Sequence, residues 1–275
     1  MTRSVLAELL VLRKRLSTWI LLGIWWLLAL MFAYLVPYVQ YLNGSTRRPL
    51  DDLLPQHLVG TLMAGFPFFG GVLALQLGVL AFGSEYGWGT LKVLFTQGPG
   101  RLRIFAAKLI ALAVAIVPFV LVVFVTGALA SSAIALREGA DVSWPSVSLL
   151  VRGIGAGWLI LATWAALGVM LAVISRGTSL AIGIGILYAF VIEGLLSALA
   201  SEVSGLDRLV QFFVRANGYS LAAVLGVAPG DVSDNGPGSF SGPFVGGAQA
   251  ALVLGAFTAV AMVVAGRLFR RRDVT

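Results

Sequence analysis

Long apolar blocks separated by short polar stretches run the length of the chain, near 18–39, 58–82, 104–130, 151–174, 178–200 and 248–266. Each block, as a helix rising ~1.5 Å per residue, is long enough to cross a hydrocarbon layer of ~30 Å. The third run continues apolar to Leu136, which predicts a helix that tilts or projects beyond the membrane. Only Ser175, Arg176 and Gly177 part the fourth and fifth blocks, which predicts a tight hairpin. Inside lipid the backbone must satisfy its own hydrogen bonds, and helices do so segment by segment. The expected fold is therefore all-α, a polytopic transmembrane bundle of six helices.

Ahead of the first block, residues 2–16 predict an amphipathic helix. Val5, Leu6, Leu9, Leu12 and Leu16 can share an apolar side while Arg3, Arg13 and Lys14 stay near water. Residues 1–17 are thus expected to form an amino-terminal interface helix, the alternative being a plain cytoplasmic extension of the first span. The apolar stretch after Arg13, Lys14 and Arg15 is too long for a signal-peptide core, and no small-residue cleavage site closes it.

Composition agrees with a membrane location. Of 275 residues, 59% are hydrophobic and only 11% charged, too little charge to cover a water-soluble protein of this size. With no cysteine and a single histidine, His57, disulfides, thiolate chemistry and histidine clusters are excluded. The net charge of +7 raises the question of nucleic acid, and its distribution answers it. One side of the predicted topology carries Arg3, Arg13, Lys14 and Arg15; then Lys92, Arg101, Arg103 and Lys108; then Arg176, Arg267, Arg270, Arg271 and Arg272. Only Glu8, Glu85 and Asp273 oppose them. The other side carries Arg47, Arg48, Arg137, Arg152, Arg208 and Arg215 against Asp51, Asp52, Glu138, Asp141, Glu202, Asp207, Asp231 and Asp234. Basic residues favour the cytoplasmic face, so both termini are expected in the cytoplasm. The charge follows topology and favours anionic lipid head groups as partners, not nucleic acid.

Small residues recur at fourfold spacing: Gly70, Ala74 and Gly78; Gly153 and Gly157; Ala181 and Gly185; and Gly247, Ala251, Gly255 and Ala259. Such stripes let helix backbones approach closely in lipid, within a compact bundle or an oligomer. Pro67 and Pro118 fall inside spans, where each lacks an amide hydrogen and predicts a bend, either a pivot or a static kink. Glu193 is a formal charge well inside the fifth span, ~23 Å along it if the helix starts near Thr178. An unpartnered carboxylate there is costly. Its expected uses are a substrate or conformational role, or structural hydrogen bonding near the outer boundary.

Residues 83–108 read GSEYGWGTLKVLFTQGPGRLRIFAAK. Glu85 through Phe95 can form a short helix at the cytoplasmic boundary, with Tyr86 and Trp88 suited to the interface and Gln97-Gly98-Pro99-Gly100 breaking it. This segment resembles the E-Y-x-x-G-T-L…(T/S)-x-x-P-x-(R/S)…K signature of type-2 ABC transporter permeases of bacterial exporters. The match runs from Glu85 and Tyr86 through Gly89, Thr90 and Leu91 to Thr96, Pro99, Arg101 and Lys108. The resemblance implies that 83–103 is a coupling segment docking on a separate ATP-binding subunit. Glu85, Gly89 and Thr90 would be its core, with Tyr86, Leu91 and Arg101 beside them. For Arg101 and Lys108, anchoring to lipid head groups is the plainer use. Residues 18–275 would form the six-span permease domain and 201–247 its extracytoplasmic segment. Within that segment, 209–226 can form a helix on the outer surface or dipping into the membrane.

The chain has no GxxxxGK(S/T) phosphate loop, serine elbow or HExxH motif. His57 beside Asp51 and Asp52 lacks a further strong ligand and reads as a solvated helix start. The chain is therefore expected to bind no cofactor or metal and not to be an enzyme. ATP and Mg would belong to two copies of the partner ATPase. A homodimer, or pairing with a similar permease, would complete an exporter in the bacterial cytoplasmic membrane. A non-transporting scaffold, channel or sensory partner is the alternative.

Overall fold

The computed structural model describes residues 2–44, 49–87, 100–200, 203, 205–227, 240 and 244–271. Among the described residues, six helices are long and apolar enough to cross a membrane: Leu16–Leu42, Phe66–Tyr86, Arg101–Glu138, Val147–Ser175, Ser179–Ser197 and Gly247–Arg271. They form an all-α bundle, and its contacts sort the helix ends into two groups. At one end Lys108 meets Glu8, and Arg101 donates to the Arg270 carbonyl. Phe82, Phe105 and Phe269 pack together there. At the other end the Tyr38 hydroxyl donates to Glu138 at 2.6 Å and the Ser143 hydroxyl to Gln56 at 3.2 Å. The amino-terminal helix and the end of the sixth span thus lie at the end rich in arginine and lysine.

The close core is the crossing of the second and fourth spans. A Cβ on Gly78 would run into the Ala165 carbonyl, and one on Gly168 into the Leu75 carbonyl, so the two backbones touch reciprocally. Lipid offers little hydrophobic gain for helix association, so tight backbone contact and interhelical hydrogen bonds carry the packing. The buried Trp25 indole donates to the Phe119 carbonyl at 2.8 Å and sets its ring edge-on to Phe66. Thr163 on the fourth span meets Thr258 on the sixth at 3.0 Å. Of the small-residue stripe on the sixth span, Gly247 packs against Val224, whereas Gly255 has open space around it and Ala259 is exposed. Ala250, Leu254, Ala261 and Ala265 are buried instead, the helical face that follows from Thr258 turning toward Thr163.

Two spans differ from their expected outlines. The apolar block 58–82 is broken: Leu58–Met63 is a short buried helix, and a π-helical turn at Phe66–Gly70 precedes the helix Gly71–Gly87. Pro67 cannot donate to the Met63 carbonyl, which interrupts the regular helix there. The second helix also runs past 82, so Glu85 and Tyr86 belong to it and not to a separate boundary helix. The remainder of the expected coupling helix, including Gly89, Thr90 and Leu91, lies outside the described residues. The third helix, Arg101–Glu138, carries Pro118 without interruption and ends on Gly139 in the left-handed region, where glycine is tolerated.

The amino-terminal helix is Thr2–Lys14. Leu12 is buried and Leu9 packs beside it, whereas Leu6 is 55% exposed and Leu16 is 73% exposed, so the expected single apolar side splits. For Leu16 the reason is the elbow at Arg15, whose extended backbone (φ −73°, ψ 122°) puts it on the next helix. Within segment 201–247, Leu206–Val210 and Val214–Val224 are helical, and the second is buried in the bundle from Val214 to Ser220. Of the two placements expected of 209–226, the surface helix is ruled out by this burial.

Candidate functional site

At the basic end, three helices bring opposite charges together. The Lys108 ammonium donates to Glu8 Oε2 at 2.8 Å and also to Glu85 Oε1. Each residue sits on a face that packing already turns inward. Glu8 is one turn before buried Leu12, Glu85 one turn after buried Ala81, and Lys108 between buried Ile104 and Leu112. Lys108 is 3% exposed and Glu85 6% exposed. A charge this deep stays in place only if it is paired. Here one ammonium serves two carboxylates.

Arg15 adds a second tie at the elbow. Its guanidinium donates to the Leu80 carbonyl at 2.7 Å and to the Ser84 hydroxyl at 2.8 Å, and Ser84 in turn donates to Leu80. The seam lined by Glu8, Leu12, Arg15, Ala81 and Lys108 is closed to water. Amino-terminal helix, second span and third span are therefore locked together at the root of segment 83–103.

This placement changes what two residues can do. Glu85 turns one carboxylate oxygen toward Lys108, and its Oε2 has no hydrogen-bond partner among the described residues. It sits in the last turns of helix Gly71–Gly87, facing inward. Lys108 points at the two acids, not at lipid head groups. Tyr86 is half-buried, and Arg101 opens the third helix with a 3.4 Å bond to the Arg270 carbonyl. Sequence reasoning passed over Glu8 and Arg15. The available signal was Glu8 one turn from Leu12 on an otherwise basic, apolar helix.

Glu193 occupies a separate buried site toward the opposite end. Its two carboxylate oxygens accept from the backbone N–H groups of Val214 and Arg215, each at 2.9 Å. The Tyr188 hydroxyl donates to the same carboxylate. A carboxylate at a helix amino terminus satisfies orphan N–H groups and meets the positive end of the helix dipole. Glu193 thus fastens helix Val214–Val224 to the fifth span. It caps that helix from a remote span, which serves the structural use expected of it. Arg215, expected as an outer loop charge, is 5% exposed, with its guanidinium 4.9 Å from the Phe68 ring centroid. Burial pushes the neighbouring Tyr219 phenol up to about 12, against the lowering pull of Arg215. Among the described residues, no group of His, Cys, Asp and Glu is placed to hold a metal ion.

Among the described residues, six apolar helices and an amphipathic helix clamped at their basic end define a multi-pass membrane domain. Residues 6–274 match the family described as ABC-2 family transporter protein, and the chain belongs to that family. Compared with curated proteins one by one, it matches none. Membership implies work alongside an ATP-binding cassette subunit.

Proposed function

We propose that the chain is the membrane-spanning subunit of an ATP-driven exporter in the bacterial cytoplasmic membrane, with both termini in the cytoplasm. Two ATP-binding subunits dock against 83–103, where Tyr86, Gly89, Thr90, Leu91 and Arg101 supply the contact surface and Glu85 roots it. A second copy, or a similar permease, completes the pathway. The observation that carries this reading is the bond network from Lys108 to Glu8 and Glu85. It ties both ends of the docking segment to the amino-terminal helix.

When the ATP-binding subunits close, the segment moves. Because its roots are joined, the push reaches the second and third spans and the amino-terminal helix as one body. Such coupling requires that the partner bind the two states with different free energies, and a segment continuous with two spans provides for that. The break before Pro67 and the missing amide at Pro118 are the places where those spans can pivot.

Co-expression with the ATP-binding subunit encoded beside its gene tests the reading. A complex that hydrolyses ATP is expected, and Glu85→Lys should weaken capture or stimulated hydrolysis while membrane insertion persists. A folded preparation that captures no ATP-binding subunit would overturn the reading, as would a Glu85→Lys variant that docks and transports normally.

A further inference from the structure

Beside the ion cluster, the amino-terminal helix and the first span diverge from the third span and leave a groove of about 280 Å³. Its walls are apolar, built chiefly by Leu9, Trp19, Leu22, Val114 and Pro118, and Arg13 is the charged residue lining it. The elbow between the two helices is braced by the Trp19 indole, which donates to the Arg13 carbonyl at 2.7 Å. Pro118 cannot donate to the Val114 carbonyl, so the third helix presents a loosened turn to the groove. Arg13 and Lys14 are both exposed.

We propose that this groove binds one anionic phospholipid, with a length of acyl chain along the apolar walls and its phosphate on Arg13. Charge complementarity selects that occupant. A guanidinium matches phosphate oxygens in a bidentate fashion, and an amphipathic helix marks the level where head groups lie. A polar solute would find few hydrogen-bond partners on these walls. Leu12 lines both this groove and the closed seam around Lys108. Lipid occupancy therefore presses on the same side chain that packs over the ion cluster, and holds the amino-terminal helix against the third span.

The test is native mass spectrometry of the full chain in neutral detergent, with phosphatidylglycerol or phosphatidylcholine of identical chains added. Binding is read without any ATP-binding subunit, so the result stands apart from the coupling mechanism. Wild type is expected to retain one phosphatidylglycerol about tenfold better than phosphatidylcholine, a preference of ~1.4 kcal/mol. Arg13→Gln should abolish the preference, and Ala115→Leu, which fills the groove, should reduce retention of the bound lipid several-fold. Arg3→Gln, an exposed arginine on the same helix, should change neither. Should Ala115→Leu fail to fold, lipids brominated on the acyl chain provide an independent readout. The fluorescence quenched in wild type but not in Trp19→Phe should be larger with phosphatidylglycerol than with phosphatidylcholine. Equal retention of the two lipids, equal loss with Arg3→Gln and Arg13→Gln, or no Trp19-dependent quenching would show annular charge attraction only and overturn the site.

Discussion

Lys108→Met removes the ammonium between Glu8 and Glu85 while leaving a side chain of similar length in the same space. The side chains are 2% exposed for Lys108, 8% for Glu85 and 16% for Glu8, which places the cluster in the buried regime. An exposed pair would contribute only ~0–1 kcal/mol. Removing one partner of a buried pair costs ~3–5 kcal/mol, because the remaining charge stays desolvated without compensation. Here two carboxylates would be stranded, with Arg15 held on Leu80 and Ser84 as the nearest tie. We expect Lys108→Met to lose ~3 kcal/mol or more, roughly a hundredfold in the ratio of folded to unfolded protein. Glu85→Gln with Lys108→Met removes a charge of each sign, and the double variant should recover ~1–3 kcal/mol of that loss. Equilibrium unfolding in mixed micelles, run as a complete double-mutant cycle, measures both quantities. Lys108→Met within ~1 kcal/mol of wild type would refute the reasoning, since that is the behaviour of a surface pair. So would a double variant no more stable than the single one. The same set separates stability from coupling, because the double variant should fold yet respond weakly to the ATP-binding subunit.

Gly78→Leu and Gly168→Leu should each disrupt folding, at a cost of ~1–3 kcal/mol or more, because both place a side chain against a backbone carbonyl that cannot swing aside. Gly155→Ala, with nothing within 4 Å of its Cβ, should leave the size-exclusion profile unchanged, and an equal response at all three positions would contradict the proposed crossing. Glu193→Ala leaves the Val214 and Arg215 amides without their acceptor, at ~1–3 kcal/mol per buried group, whereas Glu193→Gln retains one carbonyl. Hydrogen exchange over Val214–Val224 should accelerate in the order wild type, Gln, Ala, and unchanged protection in the alanine variant would refute the capping role.

The spans were legible because crossing a membrane is a local requirement. A window of apolar residues long enough for the hydrocarbon layer announces itself without knowledge of its neighbours. The hairpin at Ser175–Gly177 was equally local, and the fourth helix ends there on Arg176 with φ 55°. Where boundaries moved, a neighbour was responsible. The second helix continues past 82 because Arg15 holds Ser84 and Lys108 holds Glu85, contacts made from residues 69 and 23 positions away. Likewise the sixth span's glycine stripe was visible, but which of its faces would pack depended on Thr163 of another helix.

Patterning of apolar and basic residues alone determined a six-helix membrane bundle with its termini at one end, since hydropathy and charge act on each segment separately. Tertiary structure decided which charges meet. Glu8 and Lys108 stand 100 residues apart, and each alone reads as an ordinary boundary charge. Only when three apolar faces pack are they carried out of water together, and burial makes the pairing obligatory. Glu193 follows the same logic: a costly carboxylate in one span finds its purpose at the amino terminus of a helix 21 residues further along the chain.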